Sequence, residues 1–70
     1  MRYAIVIEGT KTGYSAYVPD LPGCVATGAT MDEVERNLRE AIEFHLDGLR
    51  EDGLTIPATN ASVEYLEVAI

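Results

Sequence analysis

Seventy residues with twelve Asp and Glu against five Lys and Arg carry a formal net charge of −7, so no cation cluster is available for phosphate backbones and direct nucleic-acid binding by this chain alone is not expected. A hydrophobic content of 47% with 24% charged residues is that of a globular chain, and a domain this small hides only about 60% of its unfolded surface, which leaves a thin margin of stability. The single cysteine excludes an internal disulfide framework, so oligomerisation is the expected further source of stability; the apolar run at Ala4–Ile7 is too short for a signal peptide or a span, which predicts a soluble, cytoplasmic protein with no membrane partner.

Arg2 to Glu8 (RYAIVIE) predicts a strand that is apolar on both faces. Tyr3, Ile5 and Ile7 lie on one side and Ala4 and Val6 on the other, so the strand is expected to be central and covered twice. Gly9 to Gly13 is a polar hairpin loop, and Tyr14 to Val18 returns antiparallel. Pro19 has no N–H to give a ladder and ends that strand. In Leu21-Pro22-Gly23-Cys24, proline presets φ and glycine accepts the positive φ of a type II turn, so a tight reversal is expected. Cys24 to Thr27 then forms a third short strand.

At Gly28-Ala29-Thr30 the period changes. Thr30-Met31-Asp32-Glu33 matches a capping box, with acids suited to the positive end of the helix dipole. Met31, Val34, Leu38, Ala41, Ile42, Leu46 and Leu49 recur at helical spacing, and Gly53 suits the residue past the C-cap, so a helix is predicted from about Met31 to Asp52. Asp32/Arg36 and Glu35/Arg39 are expected to pair along its polar face. Further along, Glu43, Asp47 and Glu51 repeat one sign at spacings of four. Such a row is more often a solvated face than a site, yet it is a candidate docking strip for cations. Phe44 points toward this polar side; single exposed aromatics are ordinary, but an aromatic beside acids is also what protein-binding surfaces use.

Leu54 to Ala61 is a linker held by Pro57, and Val63 to Ile70 (VEYLEVAI) alternates as a last strand. Leu66, Val68 and Ile70 share one of its sides, Val63 and Tyr65 the other. The predicted fold is one α+β domain over residues 1–70, of order β-β-β-α-β. It comprises an antiparallel three-stranded meander, one helix on one face, and a final strand brought parallel to the first by a right-handed crossover. One helix covers one face. The second would expose residues drawn from Ala4, Val6, Tyr17, Val63 and Tyr65, and such a patch predicts self-association, most simply as a two-fold dimer.

Catalytic constellations are sparse. His45 falls inside the apolar stripe with no nucleophile or carboxylate on its face, and Cys24 lacks a second cysteine or a base. One Cys and one His cannot build a tetrahedral zinc site in one subunit. The glycines do not lead into a helix as a phosphate loop does. Glu8 with Glu33 or Glu64 could form a metal-binding carboxylate set only if the fold brought them together. No enzyme activity, cofactor or metal is expected.

The run GYSAYVPDLPGC at Gly13–Cys24, then Val25-Ala26-Thr27-Gly28, then a Thr-initiated acidic amphipathic helix, resembles the HicB antitoxin family over nearly the whole chain. That resemblance implies a partial RNase H-like β-β-β-α-β fold without catalytic activity. It also implies a partner: the basic HicA-type toxin, a small double-stranded-RNA-binding-like protein that cleaves mRNA with a histidine. Many HicB antitoxins add a C-terminal DNA-binding segment, but no basic helix follows the last predicted strand here, so autorepression by this chain alone is not expected. The family pattern keeps an acid and a leucine at Asp20 and Leu21, which either pack or meet the toxin. Asp20, Leu21, Glu43, Phe44 and Asp47 are the candidate toxin-facing residues. The rival expectations are an orphan self-associating module and a residual metal-dependent nuclease.

Overall fold

The computed structural model describes residues 1–70. Three short strands precede one long helix: β1 Val6–Gly9, β2 Tyr14–Tyr17, β3 Val25–Gly28 and α1 Met31–Glu51. The sheet is an antiparallel meander of order β1-β2-β3. Val6 lies opposite Tyr17, which lies opposite Val25; Ile7, Ala16 and Ala26 form the next row. Alternation then sorts the side chains. Ile7, Ala16 and Ala26 face α1, while Val6, Tyr17 and Val25 face away.

The β2–β3 corner contains two reversals in succession. Leu21 N–H donates to the Val18 carbonyl at 3.1 Å, Cys24 N–H to the Leu21 carbonyl at 3.1 Å, and Val18 N–H closes the loop on the Cys24 carbonyl at 3.2 Å. Gly23 sits at φ +82°, the left-handed position that the second of these turns requires. The corner also folds inward, because Leu21 is wholly buried in a core with Ala16, Val18, Cys24, Val34 and Leu38.

The helix begins as its sequence predicts. Thr30 is the N-cap and its hydroxyl accepts the Glu33 N–H at 3.1 Å, satisfying one orphan donor of the first turn. The reciprocal bond from the Glu33 carboxylate is not formed, so only half of the capping box is present. Gly53, at φ +70°, follows the Asp52 C-cap, and its N–H returns to the Arg50 carbonyl at 3.1 Å. Val34 and Leu38 are the buried residues of the stripe, with Ala41, Ile42 and Leu46 packed beside them. The predicted pairs Asp32/Arg36 and Glu35/Arg39 do not close; the helix has one ion pair, Arg50 to Asp47 at 3.2 Å. Both of its side chains are well exposed, and solvent leaves such long chains little reason to hold one geometry.

Two expectations need correction. Residues 63–70 form no strand, parallel or otherwise, and β1 is an edge strand instead of a central one. The two errors have one cause. The anticipated neighbour of β1 was the C-terminal strand of the same chain, but the linker carries that segment elsewhere. Tyr3 Oη donates to the Pro57 carbonyl at 2.7 Å, and the Asp20 carboxylate then accepts the Asn60 and Ala61 N–H groups at 3.1 Å each. These anchors lead the chain from β1 toward the β2–β3 corner, away from the open edge.

Candidate functional site

No single cleft concentrates chemistry in this molecule. No group of three or more His, Cys, Asp or Glu side chains converges in a way that could hold a metal ion. His45 is half-buried at the margin of the stripe. Cys24 is buried in the core, and desolvation pushes its thiol pKa up, the opposite of what an activated nucleophile needs. No helix of the structure is long and apolar enough to cross a membrane.

What the fold does present is surface of two kinds. The first is the outer sheet face. Tyr17 stands between Val6 and Val25 across the three strands, with Ala4 half-buried just before β1. Val25, 63% exposed, completes this apolar row and was missing from the residues anticipated there. Its signal lay in the alternation of Cys24 to Thr27, where a buried cysteine forces the next side chain outward. Val63 and Tyr65 do not join this face within one chain, because residues 63–70 stay out of the sheet.

The second surface is the polar side of α1. Glu43, Phe44 and Asp47 are all exposed, and Phe44 is 83% accessible although it is a large apolar ring. Phe44 and Asp47 are neighbours at i, i+3 and Glu43 and Asp47 at i, i+4, so Asp47 joins the ring and the second carboxylate into one strip. Asp20 and Leu21 do not belong to this strip. Leu21 is a core residue with 0% exposure, so its side chain is not available to a partner. Asp20 is occupied by the two N–H groups of Asn60 and Ala61. Both bonds fall on Asp20 Oδ2, so this corner anchors the subunit's own linker.

The sequence matches the family described as the HicB-like antitoxin of bacterial toxin-antitoxin systems over residues 3–69. The chain belongs to the HicB-like antitoxin family. Among its relatives, an uncharacterised 14.9 kDa protein of Haemophilus phage HP1 is 42% identical over 94% of this chain, which spans half of that protein. A UPF0150 protein of Helicobacter pylori is also 42% identical over 91% of this chain and 90% of its own length. A UPF0150 protein of Thermoplasma acidophilum is 37% identical over 87% of this chain and 90% of its own. Among solved structures, a chain of the HicA3 and HicB3 toxin-antitoxin complex superposes with a TM-score of 0.72 and 32% identity, covering 86% of this chain and 70% of that one. The HicB-like fold here is accordingly three antiparallel strands followed by one helix.

Proposed function

We propose that this HicB-like chain is an antitoxin that binds and occludes a basic HicA-type mRNA-cleaving toxin, without performing catalysis itself. The observation that carries the reading is the 32% identity, over 86% of the chain, to a solved chain of a complex between HicA3 and HicB3. The surface supports it. A net charge of −7 on 70 residues steers a cationic protein toward contact. The α1 strip offers an aromatic anchor, Phe44, with Asp47 beside it at i+3 and Glu43 also exposed on the helix. Such an anchor with a charged rim is the usual composition of a protein-binding patch.

Co-expression with a short, basic open reading frame adjacent in the genome tests this directly. The antitoxin reading expects rescue from growth arrest together with co-purification of the two chains. A neighbour equally toxic with and without this protein would sink it. A second reading, an orphan module that only self-associates, draws support from the apolar Val6–Tyr17–Val25 row on the outer sheet face. It predicts assembly of the pure protein and no rescue.

A further inference from the structure

We infer that residues Val63–Ile70 form a strand on the β1 edge of a second copy of this chain, each subunit lending its arm to the other. Three pieces of the molecule lack partners, and they fit one another. The first is the edge itself. β1 bonds only to β2, so the other side of its backbone is an unpaired row of N–H and C=O groups, a template for an added strand. Residues 2–5 continue that row with no ladder at all.

The second piece is the groove beside the edge. Helix α1 lies over β3 and β2 and leaves the β1 side of the inner layer uncovered. A depression of about 360 Å³ opens there, its apolar floor made by Tyr3, Ile5, Leu38 and Ile42. These are residues of the inner layer, packed against the core but only partly covered or, for Leu38, buried beneath the floor. A strand on the β1 edge would drop alternate side chains into this groove.

The third piece is the arm. Val63–Ile70 alternates as a strand does, yet every one of its residues is exposed, with Tyr65 at 94% and Leu66 at 86%. Its presence out in solvent swells the molecule: the radius of gyration is 13.9 Å and the longest dimension 49 Å, against a radius of about 11 Å for a compact chain of this length. Leu66, Val68 and Ile70 share one side of the arm and supply three apolar residues at the spacing that meets Tyr3, Ile5 and Ile7 of a neighbouring strand. Val63 and Tyr65, on the other side, then extend the outer face beside Ala4 and Val6.

Geometry favours a second copy over the arm's own subunit. The Tyr3–Pro57 bond passes the linker beside the start of the edge and the Asp20–Asn60/Ala61 bonds fix it at the β2–β3 corner, and from there residues 62–70 run out exposed instead of turning back along β1. An extended arm of this length reaches roughly 25 Å, enough to cross to a neighbour. Mutual exchange about a two-fold axis fills both edges and closes the assembly. This inference does not depend on the antitoxin reading.

Sedimentation of the full chain at tens of micromolar should give twice the 7.6 kDa of one subunit, and removing residues 63–70 should halve that mass. In a mixture of isotopically labelled and unlabelled full-length protein, intermolecular contacts should join Leu66 or Val68 to Ile5. Amides of residues 64–70 should be protected from exchange in the dimer and lose that protection on dilution. Leu66→Asp with Val68→Asp should also halve the mass. Three results each overturn the proposal: a monomer with a freely exchanging arm, an ordered arm that contacts only its own subunit, or a dimer that survives loss of residues 63–70. Protection of the arm that appears only when a basic partner is added overturns it as well. The mixed-sample contact needs no variant, so it decides the matter even where an armless subunit fails to fold.

Discussion

The Asp20 carboxylate lies 3.1 Å from the backbone nitrogens of both Asn60 and Ala61, tying the β2–β3 corner to a segment forty residues away. One side chain thus fixes where the C-terminal arm leaves the body. The bond from Ala61 is partly shielded from water and the one from Asn60 is exposed, so the first contributes the larger share. Asp20→Ala should cost about 1.5–3 kcal/mol in urea unfolding and abolish protection of the Asn60 and Ala61 amides. Asp20→Asn should recover part of that loss, since its amide oxygen still accepts. A wild-type unfolding curve for Asp20→Ala would show that the carboxylate has no structural role.

Gly28 and Gly48 should respond in opposite directions to alanine. A Cβ at Gly28 would lie 2.5 Å from the Val34 nitrogen and 2.9 Å from its Cα, both backbone atoms of the first helical turn. The helix seats directly on the end of β3, and a methyl group there forces it off. Gly28→Ala should destabilise by about 1–3 kcal/mol. At Gly48, inside α1, nothing lies within 4 Å of the added Cβ. Gly48→Ala should therefore stabilise by about 0.5–1 kcal/mol through helix propensity and a less free unfolded chain. Paired thermal melts check the sign of each.

Helix α1 was legible because its signals are local. Thr30 caps it, Gly53 closes it, and the spacing of Val34 and Leu38 within one stripe fixes its buried side. The Pro22-Gly23 turn was legible for the same reason, as φ alone decides it. The place of β1 in the sheet was not. Its two-sided apolar sequence read as a central strand, and that requires a neighbour whose position depends on the path of residues 54–61, set by Tyr3 and Asp20 far away in sequence. Val25 was missed because alternation within β3 says only that it lies on the face opposite Cys24, and which of the two faces is covered follows from the packing of α1 on the sheet. At Leu21 and Asp20 the sequence left packing and partner contact both open, because a corner that bends back into its own core looks, one residue at a time, like any exposed loop.

Leu21→Ala should be among the most damaging single changes. Its side chain is wholly buried in a core of six residues. Truncation of a buried leucine costs about 2–5 kcal/mol. A chain of this length has a total stability on the order of 5 kcal/mol. Loss of the cooperative transition in near-UV or fluorescence-detected denaturation is expected for the variant, while Leu54→Ala, in the exposed linker, should leave the midpoint within about 0.5 kcal/mol of wild type.

Cys24 provides a probe of that same core. Burial raises its thiol pKa, so the folded state favours the neutral form. The sign follows from proton counting. Above the ordinary thiol pKa the unfolded chain gives up its proton while the folded chain keeps it, so stability from this group is full below that pH and declines as pH rises through it. Alkylation at pH 8 should be slow in native buffer and accelerate by orders of magnitude in urea, tracking the open fraction. Rapid labelling of the native protein would mean that the core around Leu21 and Val18 opens readily.

The α1 strip separates binding from folding. Phe44 is 83% exposed and buries little within the subunit, so Phe44→Ala should leave the unfolding midpoint within about 0.5 kcal/mol of wild type. If the ring anchors a basic toxin, the same change should weaken the complex about 30-fold, the magnitude of a hot-spot aromatic. Asp47 already spends part of its charge on Arg50 at 3.2 Å, an exposed pair of small worth. Reversing it with Asp47→Lys should slow association and flatten the salt dependence of binding, because long-range steering depends on unscreened charge. Titration calorimetry with the partner at two ionic strengths reads both effects. Equal affinity for wild type and Phe44→Ala would move the toxin to another face, leaving the acids of α1 as solvated surface.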